Sequence, residues 1–493
     1  MPNFIAFGML SIWPLVMVVL FKKLSPDRAL IWSFLGALLL LPSGAEIDAP
    51  LIPALDKESI PSVTALVLCL TMIPQRIRFF PASRLVAILM IIFLISPLVT
   101  VLNNQEPVFW GPFVIPQLTA REVLSETLNH VIILIPFILA FNLLNTQQAR
   151  KSFLTATMVA MLLYSVLMLI EIRLSPQLST WLYGIGPEIF AQQIRFGGFR
   201  PVVFMGHGLV VAFFTLLAVT ASAILWRASD SVMRTPYFFA LCYLFVVLIL
   251  SKTVGAILTA VVFLPFILFA GSRVKGWVVM ATAIFVLAYP VLRSADLIPV
   301  NKLVGYAALI QEERAQSLEF RFDNEEMLLE RAAMKPFTGW GFWGRNRILD
   351  VYTGMDLSVT DGYWVIVIGS LGWVGYVGVF GLLTTPLMRL WYRRGKAAAL
   401  NDPHIVFGIG LLLAMNLIDL IPNSTIRNLS WIMAGTLLAA TLRSAKPVAN
   451  PAPAGQIEPA AKPQRHTRKP RSAQYANDTT ETATFQRRAR SPR

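Results

Sequence analysis

Three basic side chains that could bind an anion stand beside apolar stretches of the sequence. Arg195 and Arg200 enclose the segment Phe-Gly-Gly-Phe just before an apolar run, and Lys252 separates two further apolar runs. Placing a cation in apolar surroundings costs free energy, so each of the three is a functional candidate. The planar fork of arginine matches two phosphate oxygens, and lysine adds a point charge. Converging from different helices, the three would suit a diphosphate and would neutralise the charge of a departing phosphate group.

The same arginines also have a purely structural interpretation. Arg195 or Arg200 could form a salt bridge with a carboxylate, or could extend its charged end to the membrane interface. Arg321 and Arg331, in the longest polar segment, belong to the same group of cations. The sequence leaves both interpretations open for all of them.

Two residues are candidates for proton transfer. Asp361 stands where the longest polar segment enters an apolar run, and His207 opens another run from the same side. A carboxylate at a membrane boundary could act as general base toward a sugar hydroxyl. Asp361 could equally be a helix N-cap, and His207 could compete for the base role or only support packing.

No motif for a metal or nucleotide cofactor is present, so the predicted chemistry uses none. The sequence lacks a Walker loop, HExxH, GxSxG and CxxC in the required context. The histidines do not cluster, which gives a metal site little support. They are His130, His207, His404 and His466.

Composition predicts that these residues sit in an all-α, polytopic membrane protein. Only 14% of the 493 residues are charged and 56% are hydrophobic, whereas soluble domains carry roughly 25% charged residues. Apolar runs of a length suited to crossing a ~30 Å hydrocarbon core recur along the chain. We predict about thirteen spans: Phe4–Phe21, Ala29–Leu41, Ile60–Ile73, Leu85–Leu102, Val123–Leu144, Phe153–Ile172, Met205–Trp226, Tyr237–Leu250, Val254–Ala270, Trp277–Leu292, Gly362–Leu382, Val406–Ile421 and Leu429–Leu442.

The distribution of basic residues predicts the orientation of the spans. Every strongly basic short loop falls on one side, which the positive-inside rule assigns to the cytoplasm. The N-terminus is then outside, the C-terminus inside, and the candidate residues face outward. The basic loop residues are Lys22, Lys23, Arg76, Arg78, Arg84, Arg150, Lys151, Arg227, Arg234, Arg273, Lys275, Arg389, Arg393, Arg394 and Lys396.

Two segments differ in composition from the predicted membrane domain, residues 1–442. Residues 295–361 form a large outer loop, predicted to contain a short helix that begins with the capping-box spacing Asp323 to Glu326 and ends at Pro336. The tryptophans of its Gly339–Gly344 run could lie at the interface or stack on a sugar. Residues 443–493 are a basic tail without hydrophobic periodicity, predicted to be disordered and cytoplasmic.

Several short motifs, taken in order, resemble the bacterial O-antigen ligase and polysaccharide polymerase family of integral membrane proteins. The resemblance covers about residues 153–442, and its motifs are individually weak. It rests on Arg195-Phe-Gly-Gly-Phe-Arg200-Pro201, Gly206-His207-Gly208, Ser251-Lys252-Thr253, Arg321, Glu330-Arg331, Pro336-Phe-Thr-Gly339-Trp-Gly341, Gly362-Tyr363-Trp364 and Gly369-Ser-Leu-Gly372-Trp-Val-Gly375.

The resemblance implies transfer of a glycan from an undecaprenyl-diphosphate carrier at the outer (periplasmic) face of the bacterial inner membrane. The acceptor would be a sugar hydroxyl of a glycolipid or of another glycan. Arg195 or Arg200, with Lys252, would contact the diphosphate, and loop residues such as Arg321 and Arg331 would position the acceptor. Family ligases usually carry a histidine where this chain has Asp361, so ligase and polymerase activities both remain open.

The sequence gives less support to transport, to a scaffold role and to nucleic-acid binding. A flippase or other secondary transporter often shows repeated halves and charges at mid-membrane, and we find no internal repeat. A non-enzymatic scaffold remains an alternative. The formal charge of +15 does not indicate nucleic-acid binding, because residues 443–493 account for +8 and basic loops for most of the rest. The expected partners are therefore lipid-linked glycan, acceptor and membrane lipid.

Overall fold

The computed structural model describes residues 1–49, 52–74, 76–187, 189–309, 312–400, 402–425 and 427–442. These residues belong to one compact, mainly helical unit; the predicted tail lies outside the described residues. The helices are α1 (Phe4–Lys23), α2 (Pro26–Leu40), α3 (Ser59–Met72), α4 (Arg84–Leu102), α5 (Ala120–Leu143), α6 (Gln147–Leu174), α7 (Leu178–Tyr183), α8 (Gly208–Ala228), α9 (Ser231–Leu250), α10 (Val254–Phe269), α11 (Ser272–Ser294), α12 (Val300–Ala308), α13 (Glu312–Ala333), α14 (Tyr363–Tyr392), α15 (Pro403–Asp419) and α16 (Arg427–Leu442).

Short antiparallel hairpins join some of the helices. Because each hairpin has only two strands, the all-α prediction is confirmed for the described residues. The strands are β1 (Ile47–Ala49), β2 (Ile52–Leu55), β3 (Val108–Trp110), β4 (Phe113–Ile115), β5 (Ile194–Arg195) and β6 (Gly198–Phe199).

Each of the thirteen predicted apolar runs falls on a helix of the described chain. Eight helices, α1, α4, α5, α6, α8, α9, α11 and α14, are long and apolar enough to cross a membrane. The other five, α2, α3, α10, α15 and α16, have 14 to 17 residues. A straight crossing takes about 20 residues. The architecture is that of an α-helical membrane protein, and crossing by the five shorter helices stays a prediction.

Helix α8 is the most enclosed of the eight long helices, with 89% of its most apolar stretch buried. Its sequence is apolar on all sides, as expected for a helix surrounded by others. It packs on α6, α9, α10 and α15. The residues that immediately precede it therefore lie at one end of the helical bundle, between neighbouring helices.

The glycine- and tryptophan-rich part of the large loop packs against a backbone break in α14. Gly372 has φ +63° and ψ −163°, and a Cβ there would lie 2.3 Å from the carbonyl carbon of Phe337. Around the break, Trp373 N donates to Pro336 O (2.8 Å) and Trp340 N donates to Gly369 O (2.8 Å). These bonds satisfy backbone groups that the broken helix leaves without partners.

The helix of the large loop begins earlier than predicted. The sequence placed its start at Asp323, but α13 starts by Glu312, so Asp323 and Glu326 lie inside the helix. The reason is packing: Ala315 and Phe322 are buried, and Arg293 of α11 donates to Phe322 O (3.1 Å) and pairs with Glu326 (3.3 Å). The predicted end holds, since the helix stops before Pro336.

Candidate functional site

A tight hairpin carries Arg195 to the end of the bundle. Strands β5 and β6 pair Arg195 with Gly198, and the two residues between them, Phe196 and Gly197, both have positive φ (48° and 64°). This is the geometry that a two-residue hairpin turn requires. The Arg195 side chain is exposed, and it forms no ion pair with any described residue, so the salt-bridge alternative has no support here.

Lys252 lies beneath this hairpin. It occupies the break between α9 and α10 in a left-handed conformation (φ +55°). Its Nζ is 3.5 Å from the carbonyl oxygen of Phe196, and a Cβ at Gly198 would lie 2.1 Å from Nζ. A larger residue at position 198 would therefore displace the end of the lysine side chain.

Arg200 is the buried member of the group, with 5% of its surface exposed. Its Nη2 donates to Thr253 Oγ1 at 3.0 Å, which joins it to the residue after Lys252. Its backbone N donates to Gln193 O (2.8 Å). The side chain lies against the start of α8, where a Cβ at Gly208 would be 3.2 Å from Nε. Its position is thus fixed before any ligand binds.

His207 caps α8 and lies within the electrostatic reach of the arginines. Its Nδ1 accepts from Leu209 N (3.1 Å), and its Nε2 is 3.2 Å from Gln192 Oε1. The pKa of His207 is lowered to about 4, mainly by desolvation and then by the positive charges of Arg200, Arg321 and Arg195, in that order. His207 is therefore neutral at pH 7, with its proton on Nε2 toward the glutamine.

Asp361 does not cap a helix; it pairs with Arg321. Gly362 is the N-cap of α14, and no side chain caps it. Arg321 Nε is 3.5 Å from Asp361 Oδ2, and Arg321 Nη1 donates to Pro422 O at 2.9 Å. Burial raises the pKa of Asp361, and Arg321 opposes that shift. The carboxylate is 40% exposed, so a substrate hydroxyl could reach it.

Arg331 lies in a different environment, which we call the arginine–tryptophan cage (Arg331, Arg345, Trp110 and Trp340). The Arg331 guanidinium lies 3.3 Å from the ring centre of Trp340 and 5.0 Å from that of Trp110. Its Nη2 donates to Arg345 O (3.2 Å). Trp340 is therefore covered by arginine and is not an open platform for a sugar, whereas Trp343 is 69% exposed.

Five of the seven predicted site residues are thus brought together at one end of the bundle, with Lys252 joined to them through the hairpin. We call Arg195, Arg200, Lys252 and Arg321 the cation ring; His207 lies among its arginines and Asp361 at its edge. The structure does not bring Arg331 into this group, since its guanidinium is enclosed by the cage.

Sequence reasoning missed the residues that hold the ring in place. Glu171 is buried in α6 and accepts from Val202 N (2.8 Å) and Val203 N (2.7 Å), which fixes the chain just after Arg200. Thr253 and Gln192 hold Arg200 and His207. A lone carboxylate near the end of an apolar run was the one usable signal for Glu171; a threonine and a glutamine give none.

A cavity of about 350 Å³ opens beside the ring, lined in part by Met205, Val210 and Ser424. Its polar lining includes the carboxylates Glu46, Asp56 and Glu58. It also includes Lys57, which donates to Ser43 Oγ (2.8 Å) and Phe204 O (3.1 Å). Burial lowers the pKa of Lys57 to about 8, although Glu58 and Asp56 oppose this. The cavity places polar groups of two neighbouring loops next to the ring.

The arrangement can bind a multiply charged anion with a carboxylate at hand for proton transfer. Comparison with known proteins adds no assignment: no protein-family model matches the chain, and no curated protein matches it significantly.

Proposed function

We propose that the chain is a glycosyltransferase that moves a glycan from a polyprenyl-diphosphate carrier, of the undecaprenyl type, to a sugar hydroxyl. One observation carries the proposal. Arg195, Arg200 and Arg321 all lie close enough to His207 for their charges to lower its pKa, and Asp361 pairs with Arg321 at 3.5 Å. A positively charged site for an anion and an exposed carboxylate therefore adjoin each other, inside a membrane protein. A lipid-linked diphosphate is the substrate that needs both features.

The cation ring supplies the charge that the leaving group needs. Arg200 is held by Thr253 and by the start of α8, so little reorganisation accompanies binding. Lys252 and the exposed Arg195 stand on either side of the hairpin turn and add charge around the same anion. A diphosphate is already a good leaving group, so positioning and charge neutralisation are the protein's main contributions.

Asp361 is the general base in this proposal. The acceptor hydroxyl oxygen attacks the anomeric carbon and forms the new glycosidic bond, while its proton passes to the Asp361 carboxylate. The bond between the anomeric carbon and the phosphate oxygen breaks, and its electron pair leaves with the diphosphate. A pKa raised by burial makes Asp361 a better base, and the pairing with Arg321 keeps it oriented.

His207 has a positioning role. Its Nδ1 is occupied by the Leu209 N–H, and a pKa near 4 makes it a weak base. A protonated histidine among three arginines would be strongly disfavoured, so the ring favours the neutral form. His207 holds Gln192 and the start of α8, which in turn supports Arg200.

The proposal includes the membrane arrangement. The thirteen apolar helices cross the bacterial inner membrane, and the ring opens to the periplasm, as the basic loops at the other end require. Arg321 and the adjoining cavity face the acceptor, which is either a glycolipid or a second carrier-linked glycan. No cofactor takes part in the proposed reaction.

Reconstitution in vesicles with a polyprenyl-diphosphate glycan and an acceptor tests the proposal. Asp361→Asn should lower the rate of glycosidic bond formation by about 10²- to 10⁴-fold. Asp356→Asn is a matched control, because Asp356 belongs to the same segment but pairs with Arg347 at 2.9 Å; it should retain the wild-type rate. Full activity of Asp361→Asn, or movement of the glycan across the vesicle without a new bond, would overturn the proposal.

A further inference from the structure

Two adjoining cavities lie at the end of α14 that is opposite Asp361. Asp361 precedes the first residue of α14 and Tyr392 is its last, so the length of α14 separates these cavities from Asp361 at the edge of the cation ring. The first, about 500 Å³, is lined by Arg273, Trp277, Tyr392, Arg394, Gly395 and Lys396. The second, about 360 Å³, also touches Tyr392.

The first cavity is positively charged and lies beside two tryptophans. The Arg394 guanidinium lies 4.1 Å from the ring centre of Trp391 and 4.7 Å from that of Trp277. One of its N–H groups donates to Trp391 O (3.0 Å). The stacking fixes the cation at the cavity wall, and paired tryptophans are typical of the membrane–water interface.

The cations around these cavities have no counter-charge in the described part of the chain. Arg273, Arg394 and Lys396 line the first cavity, and Arg389 and Arg393 line the second. None of the five takes part in an ion pair between described residues, and no carboxylate lines either cavity. The expected occupant therefore carries negative charge.

The second cavity is largely apolar. Besides its two arginines, its lining includes Leu85, Met280, Met388 and Thr441, which belong to α4, α11, α14 and α16. A soluble anion would leave this surface uncovered. A phosphate next to a hydrocarbon chain matches both cavities at once.

We propose that the two cavities together bind one anionic phospholipid, with its phosphate headgroup at Arg394 and Lys396 and an acyl chain between Met280 and Met388. Basic pockets between helix ends are suited to anionic headgroups. The site is independent of the glycan-transfer proposal, because no residue is shared with the cation ring.

Native mass spectrometry of the full chain, in detergent with equal phosphatidylglycerol and phosphatidylcholine, tests this inference. The wild type should retain at least about ten times as much phosphatidylglycerol as phosphatidylcholine. The double variant Arg389→Gln/Arg394→Gln should lose nearly all of that preference. Lys396→Gln, at an exposed residue, should reduce it about fivefold and keeps the test decisive if the double variant does not fold.

Arg234→Gln is the matched control, because Arg234 also stacks on a tryptophan, Trp226, at 5.3 Å but lines neither cavity. It should leave the preference unchanged. Equal retention of the two lipids by the wild type, or an equal loss in Arg234→Gln, would overturn the proposal. Displacement of the lipid by excess glycerol phosphate would show a site for soluble phosphate esters and would also overturn it.

Discussion

Two groups of basic side chains differ in how fully the protein itself supplies their partners. In the arginine–tryptophan cage, Arg345 is 1% exposed and donates to Trp340 O (3.1 Å), Pro116 O (2.5 Å) and Glu106 O (2.8 Å). Arg331 is enclosed by aromatic rings. In the cation ring, by contrast, Arg195 is exposed and Lys252 makes one long contact, to Phe196 O.

The comparison teaches that the partners of a cation, more than its burial, indicate its use. Carbonyl oxygens and aromatic rings are the partners of the cage arginines, so these arginines hold loops together. The ring keeps positive charge available around a neutral histidine. The residues of both groups have similar neighbours in the sequence, and only the folded structure distinguishes the two groups.

Among the changes that test this comparison, the largest effect is expected from exchanging arginine for lysine in each group. Arg200→Lys keeps the charge but loses the planar fork, and we expect the rate of glycan transfer to fall roughly 10²- to 10³-fold. Arg331→Lys should lower the thermal midpoint while leaving the transfer rate per folded molecule unchanged. Kinetics and melting of both variants check this, and equal losses of rate would erase the distinction between the groups.

The second effect is on stability. Arg345→Met leaves three carbonyl oxygens of the cage without their donor, and we expect the free energy of unfolding to fall by about 4 kcal/mol. Arg347→Met, two residues away, removes an exposed ion pair with Asp356 and should cost at most about 1 kcal/mol. Chemical denaturation of both variants provides the comparison; similar values would mean that the cage is not a structural element.

The third effect concerns Glu325, which lies on α13 between Arg321 and Arg331. Burial raises its pKa to about 7, opposed mainly by the hydrogen bond from Tyr289 and by Arg293. An acid with a raised folded pKa loses stabilisation as pH rises. The stability of α13 should therefore be greatest below about pH 4.5, the ordinary pKa of a glutamate. As pH rises to about 7, this stability should decrease by at most about 3 kcal/mol in total.

Hydrogen exchange of the α13 amides measures this dependence. After correction for the intrinsic exchange rate, protection should fall between about pH 4.5 and pH 7 in the wild type and stay nearly constant in Glu325→Gln. The same fall in the variant would assign the pH dependence to another group.

The sequence predicted what depends on local composition. The apolar runs predicted the positions of the helices because an apolar segment can be recognised without knowing which segments it packs against. The Arg195–Arg200 and Lys252 segments were identified because a charge beside an apolar run is rare in itself. Asp361 and His207 were found for the same reason, although their roles as base and cap could not be separated.

What the sequence could not predict depends on contacts between distant segments. Trp110 and Arg331 are 221 positions apart, so the cage leaves no pattern in the sequence. The start of α13 was wrong because the spacing of Asp323 and Glu326 fits a helix interior as well as an N-terminus. Only the packing of Phe322 near Arg293 distinguishes the two.

The smallest effect is expected within the cation ring itself, at Arg195. Because its side chain is exposed, solvent and salt screen its charge far more than that of buried Arg200. Arg195→Gln should raise KM for the lipid-linked donor about threefold at low ionic strength, with little change in kcat, and the difference should vanish at high salt. Arg121→Gln, an exposed arginine at the start of α5, should change neither constant. A large loss of kcat in Arg195→Gln that persists in high salt would show a direct contact with the reacting phosphate, and the ring would then have two anchoring arginines instead of one.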